Sequence, residues 1–118
     1  MVNTAEPEIT VQYEGPGAGT EIWGMTQANF IVGRHGRAAQ EVAVMLSNPA
    51  AELLAEAMGQ ECTPEFRIEA ARNVGAIWTR QVFAAHGRVD PTVTVSRGTF
   101  EEHPELLAQV KAAVRGRG

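Results

Sequence analysis

The sequence predicts an α+β domain, mainly helical, with about four helices and a small antiparallel sheet. Two observations support this prediction. Short stretches around residues 9–14 and 92–96 alternate apolar and polar side chains, as strands with one buried face do. Longer stretches between residues 38 and 114 repeat apolar side chains every three or four positions, as helices with one buried face do. We therefore expect a sheet that is covered by helices on one face.

The strands are predicted from alternation and from the residues that interrupt it. The first strand covers residues 9–14, and the glycine-rich stretch 15–19 ends it, because glycine and proline propagate neither regular element. Residues 21–32 are rich in apolar residues but interrupted, so one or two short strands are expected there. A last strand is predicted around Val93 and Val95.

Helices are predicted from apolar periodicity and from capping signals. Asn48 and Thr63 are each followed by a proline, which is typical of a helix N-cap and first turn. Arg97 and Gly98 are expected to form a turn before the last helix. The predicted helices span residues 38–46, 49–58, 64–86 and 104–114.

Gly75 lies in the middle of the third predicted helix. Glycine at such a position costs about 1 kcal/mol of helix stability relative to alanine. We therefore expect that Gly75 allows a packing partner to approach this helix closely.

Length and composition indicate one domain. The 118 residues divide into a flexible acidic arm at 1–7, a single α+β domain at 8–115 and a short basic tail at 116–118. The single cysteine, Cys62, allows no internal disulfide and is expected to be an inert thiol. The first residues lack the features of a secretory signal, and no apolar run approaches the ~20 residues of a membrane span. A cytoplasmic protein, or a virion component assembled in the cytoplasm, is expected, with no membrane partner.

The net charge of −4 is unevenly distributed along the chain. Residues 1–30 carry four glutamates and no lysine or arginine, whereas residues 31–118 carry ten acids and ten bases. Nine of the ten bases are arginine, which pairs with carboxylates and phosphates better than lysine does. A biased genomic base composition would produce the same preference without any function.

The sequence contains no recognisable catalytic or metal-binding constellation. The glycine-rich residues 15–20 resemble a dinucleotide-binding loop only in part, because Thr20 occupies the position of the third glycine. The three histidines share no ligand spacing, and the glutamate pairs fall on predicted helix faces and termini. We therefore predict no catalytic residue, no metal ligand and no cofactor, and we favour a protein that is not an enzyme.

Arg34, His35 and Arg37 lie on a glycine-flanked turn before a predicted helix. Free N–H groups and the positive end of the helix dipole favour an anion at such a place, and Arg115 and Arg117 add positive charge in the tail. These five residues are candidates for contact with an anion or a nucleic acid. A solvated turn that pairs with carboxylates of a neighbour would show the same pattern.

Contacts with another subunit are predicted for Glu6, Glu8, Tyr13 and Trp23. The acidic start of the chain and its basic tail have opposite signs, so one subunit's arm could lie on the basic surface of the next. A sheet of two or three strands is marginally stable by itself. A neighbouring copy could complete one of its edges.

The stretch from Thr63 to Asn73, TPEFRIEAARN, resembles helical segments of small terminase subunits and related packaging or connector proteins of tailed phages. The resemblance covers about a tenth of the chain and implies a role in a viral particle. The helix-turn-helix with which that family usually begins has no counterpart here, because this chain opens with a predicted strand and a glycine-rich loop. The resemblance therefore implies an assembly subunit rather than a packaging initiator.

Three functions remain open from the sequence. The first is a non-catalytic structural or assembly subunit that associates with itself and with other protein subunits. The second is a nucleic-acid-binding accessory protein, which the neutral charge of residues 31–118 favours less. The third is a small enzyme or ligand-binding domain whose site combines distant residues such as Trp23, Trp78 and Cys62.

Overall fold

A computed structural model describes residues 9–16, 24–34 and 36–115 of the chain. It confirms the α+β class, with four helices and a four-stranded sheet among these residues. The predicted arm at 1–7 and tail at 116–118 lie outside the described residues. In chain order the elements are β1 (Ile9–Gly15), β2 (Met25–Arg34), β3 (Gln40–Ser47), α1 (Asn48–Met58), α2 (Pro64–His86), β4 (Thr92–Val95), α3 (Arg97–Glu102) and α4 (Pro104–Arg115).

The sheet is mixed rather than purely antiparallel. β1, β2 and β3 form an antiparallel meander, and β4 pairs in parallel with the other side of β3. The chain leaves β3 at Ser47, and α2 returns it to the level of Gln40 before β4 begins. β4 must therefore run in the same direction as β3, as after any crossover connection.

Residues 40–47 form β3, so the helix predicted at 38–46 is wrong. Val42, Val44 and Leu46 are buried and alternate with less buried neighbours. A continuous apolar run satisfies helical and strand spacing alike. Pairing with β2 along the whole strand satisfies its backbone groups and decides the conformation.

Two further element boundaries differ from the prediction. β2 is one continuous strand of ten residues, rather than one or two short strands within 21–32. Arg97 and Gly98 begin the short helix α3 instead of forming a turn. This helix is stabilised by a capping box, in which Ser96 and Thr99 exchange hydrogen bonds between side chain and backbone.

The helix caps agree with the prediction at α2 and differ at α1. The Thr63 hydroxyl accepts a hydrogen bond from the Phe66 N–H at 3.0 Å, which confirms Thr63 as the N-cap of α2. At α1 the cap is Ser47, whose hydroxyl accepts from the Ala50 N–H at 3.2 Å. The prediction of Asn48 as the cap is therefore wrong by one residue.

The helices form a layer against one face of the sheet, and α2 lies at its centre. One core joins the two layers. None of the described helices combines the length and the apolar character that a membrane crossing requires. The core includes Phe30, Val32, Val42, Val44, Leu46, Leu54, Ala71, Val74, Leu106 and Val110.

Gly75 allows α2 to lie directly on the sheet. A Cβ atom added at Gly75 would be 2.4 Å from Cε1 of Phe30 and 3.3 Å from Cβ of Val44. The predicted close approach is thus confirmed, and the partners are β2 and β3.

Candidate interaction surfaces

The face of the sheet that points away from the helices is here named the open sheet face. Because side chains alternate along a strand, each strand contributes every second residue to it. The strand register brings these residues into neighbouring rows, and no described helix packs on them. Its residues are Thr10, Gln12 and Glu14 of β1; Met25, Gln27, Asn29 and Ile31 of β2; Glu41, Ala43 and Met45 of β3; and Thr92 and Thr94 of β4.

The open sheet face mixes apolar and polar side chains. Met25, Ile31, Ala43 and Met45 are half-buried and occupy the two central strands. Gln27 and Asn29 lie between Met25 and Ile31 on β2, where Gln27 donates from Nε2 to Oδ1 of Asn29 at 2.8 Å. Non-obligate protein interfaces mix apolar and polar area in this way. Methionine also adapts its shape readily to a partner surface.

A cleft of about 400 Å³ lies on one half of this face. Ile31 and Ala43 contribute to its apolar lining, and Glu14 and Glu41 bring two carboxylates to it. The carbonyl oxygen of Pro91 accepts a hydrogen bond from the Ala43 N–H at 2.8 Å, which fixes one wall. No basic side chain lines the described cleft, so it offers a recess with negative charge.

Positive charge gathers at the end of the domain where β2 turns into β3. Arg34 and Arg37 flank that turn, and the last part of α2 brings Arg80 and His86 to the same end, with Arg88 directly after the helix. We name these five residues the arginine-rich end. Asp90 is the acid that follows them directly in the chain.

Contacts between distant segments hold the arginine-rich end together. The Arg34 guanidinium lies 5.6 Å from the centre of the Phe83 ring, which places β2 beside α2. Arg80 donates from Nη1 to the carbonyl oxygen of Ile9 at 2.8 Å, and Ile9 is paired with Arg34 in the sheet. These contacts fix the directions of two of its five basic side chains.

The connection after α2 is fixed by a single side chain. Gln40, at the start of β3, donates from Nε2 to the carbonyl oxygen of Val89 and accepts from the Val89 N–H at 3.1 Å. Val89 itself is only 4% exposed. The segment that carries Arg88 is therefore held against β3, beside the turn that carries Arg37.

Negative charge gathers where α2 begins. The stretch from Asn48 to Phe66 contains four exposed glutamates and no lysine or arginine, and the base that follows it, Arg67, donates from Nη1 to the carbonyl oxygen of Cys62 at 3.3 Å. The stretch begins directly after β3, continues through α1 and reaches the first turn of α2. Its first and last residues therefore lie on the side of the domain opposite the arginine-rich end. The 23 residues of α2 span roughly 34 Å between the two. We name the four glutamates the acidic end: Glu52, Glu56, Glu61 and Glu65.

Comparison with protein-family models, with curated proteins and with solved structures finds no match. The resemblance of residues 63–73 to phage packaging and connector proteins therefore stays a prediction.

The structure places three of the nine residues that were predicted to make contacts. Arg34 and Arg37 belong to the arginine-rich end. Tyr13 lies on the helix-facing side of β1, where its ring packs 5.6 Å from Phe30 and 5.0 Å from the Arg72 guanidinium. The remaining candidates lie outside the described residues, as does the side chain of Arg115: Glu6, Glu8, Trp23, His35 and Arg117.

Sequence reasoning missed three members of the arginine-rich end, namely Arg80, His86 and Arg88. His86 and Arg88 adjoin the end of a predicted helix, where cations are common for electrostatic reasons alone. Only the pairing of Ile9 with Arg34 and the contact of Arg34 with Phe83 bring them beside the β2–β3 turn.

Trp78 and Cys62, two of the residues considered for an enzyme site, are not brought together, and the third, Trp23, lies outside the described residues. Trp78 packs against His103, with ring centres 4.9 Å apart. Cys62 precedes the first turn of α2, so roughly 22 Å of helix separates it from Trp78. Among the described residues no group of three metal-ligating side chains is present.

Proposed function

We propose that the protein is a non-catalytic structural or assembly subunit that acts through contacts with copies of itself and with other protein subunits. The observation that carries the proposal is the open sheet face, whose half-buried Met25, Ile31, Ala43 and Met45 are left without a helix layer among the described residues. The helix-facing side of the same sheet is fully used as the domain core.

We propose a second copy as the occupant of this face. Sheets pack face to face about 10 Å apart, with their side chains interdigitating. Met25 and Met45 would meet their counterparts across a two-fold axis, and the cleft beside Ala43 would receive a side chain of the partner. Such a contact uses the same surface on both copies and so closes as a dimer.

The setting of this association is also part of the proposal. The resemblance of residues 63–73 implies a viral particle, and a virion component assembled in the cytoplasm fits the composition of the chain. In that setting the dimer is a unit of a larger assembly.

A nucleic-acid-binding accessory role is the second candidate function, because the arginine-rich end gathers five basic residues. Binding through phosphates falls steeply as salt rises. Fluorescence anisotropy with a labelled duplex at several salt concentrations measures it, and Arg37→Gln with Arg88→Gln should then lower the affinity. An affinity that these substitutions leave unchanged would remove this candidate.

The assembly role is tested by replacing alanine with arginine at two different positions. Ala43→Arg places a long charged side chain in the centre of the open sheet face, where the nearby Glu14 and Glu41 can accommodate its charge. We expect it to weaken self-association about 30-fold or more, the size of a central interface residue. Ala108→Arg, on an exposed position of α4, is the matched control and should associate like the unchanged protein.

Light scattering after size-exclusion chromatography and sedimentation equilibrium measure both variants. Circular dichroism shows whether each keeps its fold. A wild-type protein that is monomeric at every concentration, or a folded Ala43→Arg variant that associates as before, would contradict the proposed function.

A further inference from the structure

We propose that the arginine-rich end of one copy docks on the acidic end of a second copy, in a head-to-tail contact that joins dimers into a larger assembly. This inference rests on the proposed assembly function and adds a second, different interface to it.

Charge complementarity is the first argument for this contact. The arginine-rich end presents the side chains of Arg37, His86 and Arg88, which are exposed and have no ion-pair partner in the described structure. The four glutamates of the acidic end are exposed and likewise have no ion-pair partner in the described structure. Opposite signs on two such surfaces steer encounter and fix orientation.

The position of the two ends is the second argument. They lie at opposite ends of α2, so one molecule cannot satisfy both with its own charges. Each end would repel its own copy across a two-fold axis, because the charges on the two sides would then have the same sign. The favourable arrangement is heterologous, and such contacts build rings or filaments.

A second copy fits the arginine-rich end better than a nucleic acid does. The chain as a whole has a net charge of −4, so a long polyanion would meet repulsion beyond this end. Arg34 and Arg80 are also engaged with Phe83 and with the Ile9 carbonyl group. The acidic end, by contrast, supplies four exposed carboxylates of opposite sign in the same molecule.

The test uses neutral variants in the Ala43→Arg background, so that the open sheet face does not contribute to the measured association. One protein carries Arg37→Gln and Arg88→Gln, and the other carries Glu61→Gln and Glu65→Gln. Each should associate with itself at least about tenfold more weakly than the background protein at low salt. Mixed together, they should form 1:1 pairs that grow no further, because each retains one intact end.

A matched control removes the same positive charge elsewhere, with Arg97→Gln and Lys111→Gln on α3 and α4. It should leave head-to-tail association unchanged, whereas high salt should weaken it in every protein. Sedimentation velocity of the single proteins and of the mixture gives all of these results.

Three outcomes would overturn the inference. The background protein could be monomeric at low salt, both neutral variants could associate as strongly as it does, or the mixture could fail to pair. If Arg37→Gln and Arg88→Gln abolish binding of a labelled DNA duplex while leaving self-association intact, the arginine-rich end serves a nucleic acid instead. The proposed function would stand in all of these cases, because it is tested by comparing the self-association of Ala43→Arg with that of the wild type.

Discussion

Gly75→Ala is expected to destabilise the protein, although alanine is the better helix former. The new methyl group would lie 2.4 Å and 2.7 Å from two ring carbons of Phe30. Phe30 is 1% exposed and packs against the Tyr13 ring, so it cannot move aside without disturbing the core. Overpacking of this kind costs about 1–3 kcal/mol, and after the gain of about 1 kcal/mol in helix propensity we expect a net loss of about 1 kcal/mol.

Urea unfolding of Gly75→Ala measures this loss, and Gly98→Ala is its matched control. Gly98 lies in α3, where an added Cβ would meet only the Ser96 hydroxyl at 3.6 Å. Gly98→Ala should leave the free energy of unfolding unchanged or raise it. Combining Gly75→Ala with Phe30→Leu should show a favourable coupling, because the smaller side chain makes room for the methyl group. Equal stability of Gly75→Ala and the wild type would contradict the close packing of α2 on the sheet.

Gln40→Ala should lower the free energy of unfolding by about 2–3 kcal/mol. One side chain satisfies both the N–H and the carbonyl group of Val89, and both are shielded from water. Losing a partner for a buried polar group costs about 1–3 kcal/mol. The connection from α2 to β4 should loosen as a consequence.

Hydrogen exchange distinguishes this local effect from a general loss of stability. Gln40→Ala should accelerate exchange of the Val89 amide, relative to the wild type, much more than it accelerates exchange of the amides of β2. Gln60→Ala, at an exposed residue after α1, is the control and should change neither stability nor the Val89 amide. An unchanged Val89 exchange rate in Gln40→Ala would show that Gln40 does not hold the connection.

Much of the fold could be predicted because its signals are local. The alternation in β1, the cap at Thr63 and the apolar stripe of α2 each depend on a few neighbouring residues. β3 was mispredicted because its residues 42–46 are all apolar, and only pairing with β2 excludes a helix there. The strand β4 was predicted, but its parallel pairing with β3 was not, since strand order and direction depend on contacts between distant segments.

The candidate surfaces were less accessible to sequence reasoning. The open sheet face depends on which side of β2 and β3 the helices cover, and no local pattern gives that side. In the sequence, opposite charges lie at the two chain termini. In the described structure, a second set of acidic and basic side chains is separated along α2. Arg80 joins Arg34 only because its guanidinium reaches the carbonyl group of Ile9, far away in the chain.

The central claim is that copies of this protein meet through the open sheet face. Protein labelled with ¹³C at the methionine methyl groups reports on it directly, because Met25 and Met45 lie on that face and Met58 lies at the end of α1. The spectra are recorded from dilute to concentrated protein at high salt, which screens contacts between the charged ends. We predict that the Met25 and Met45 methyl signals shift with concentration while that of Met58 stays in place. If the Met25 and Met45 signals do not change over the range in which the protein associates, the open sheet face is not the contact.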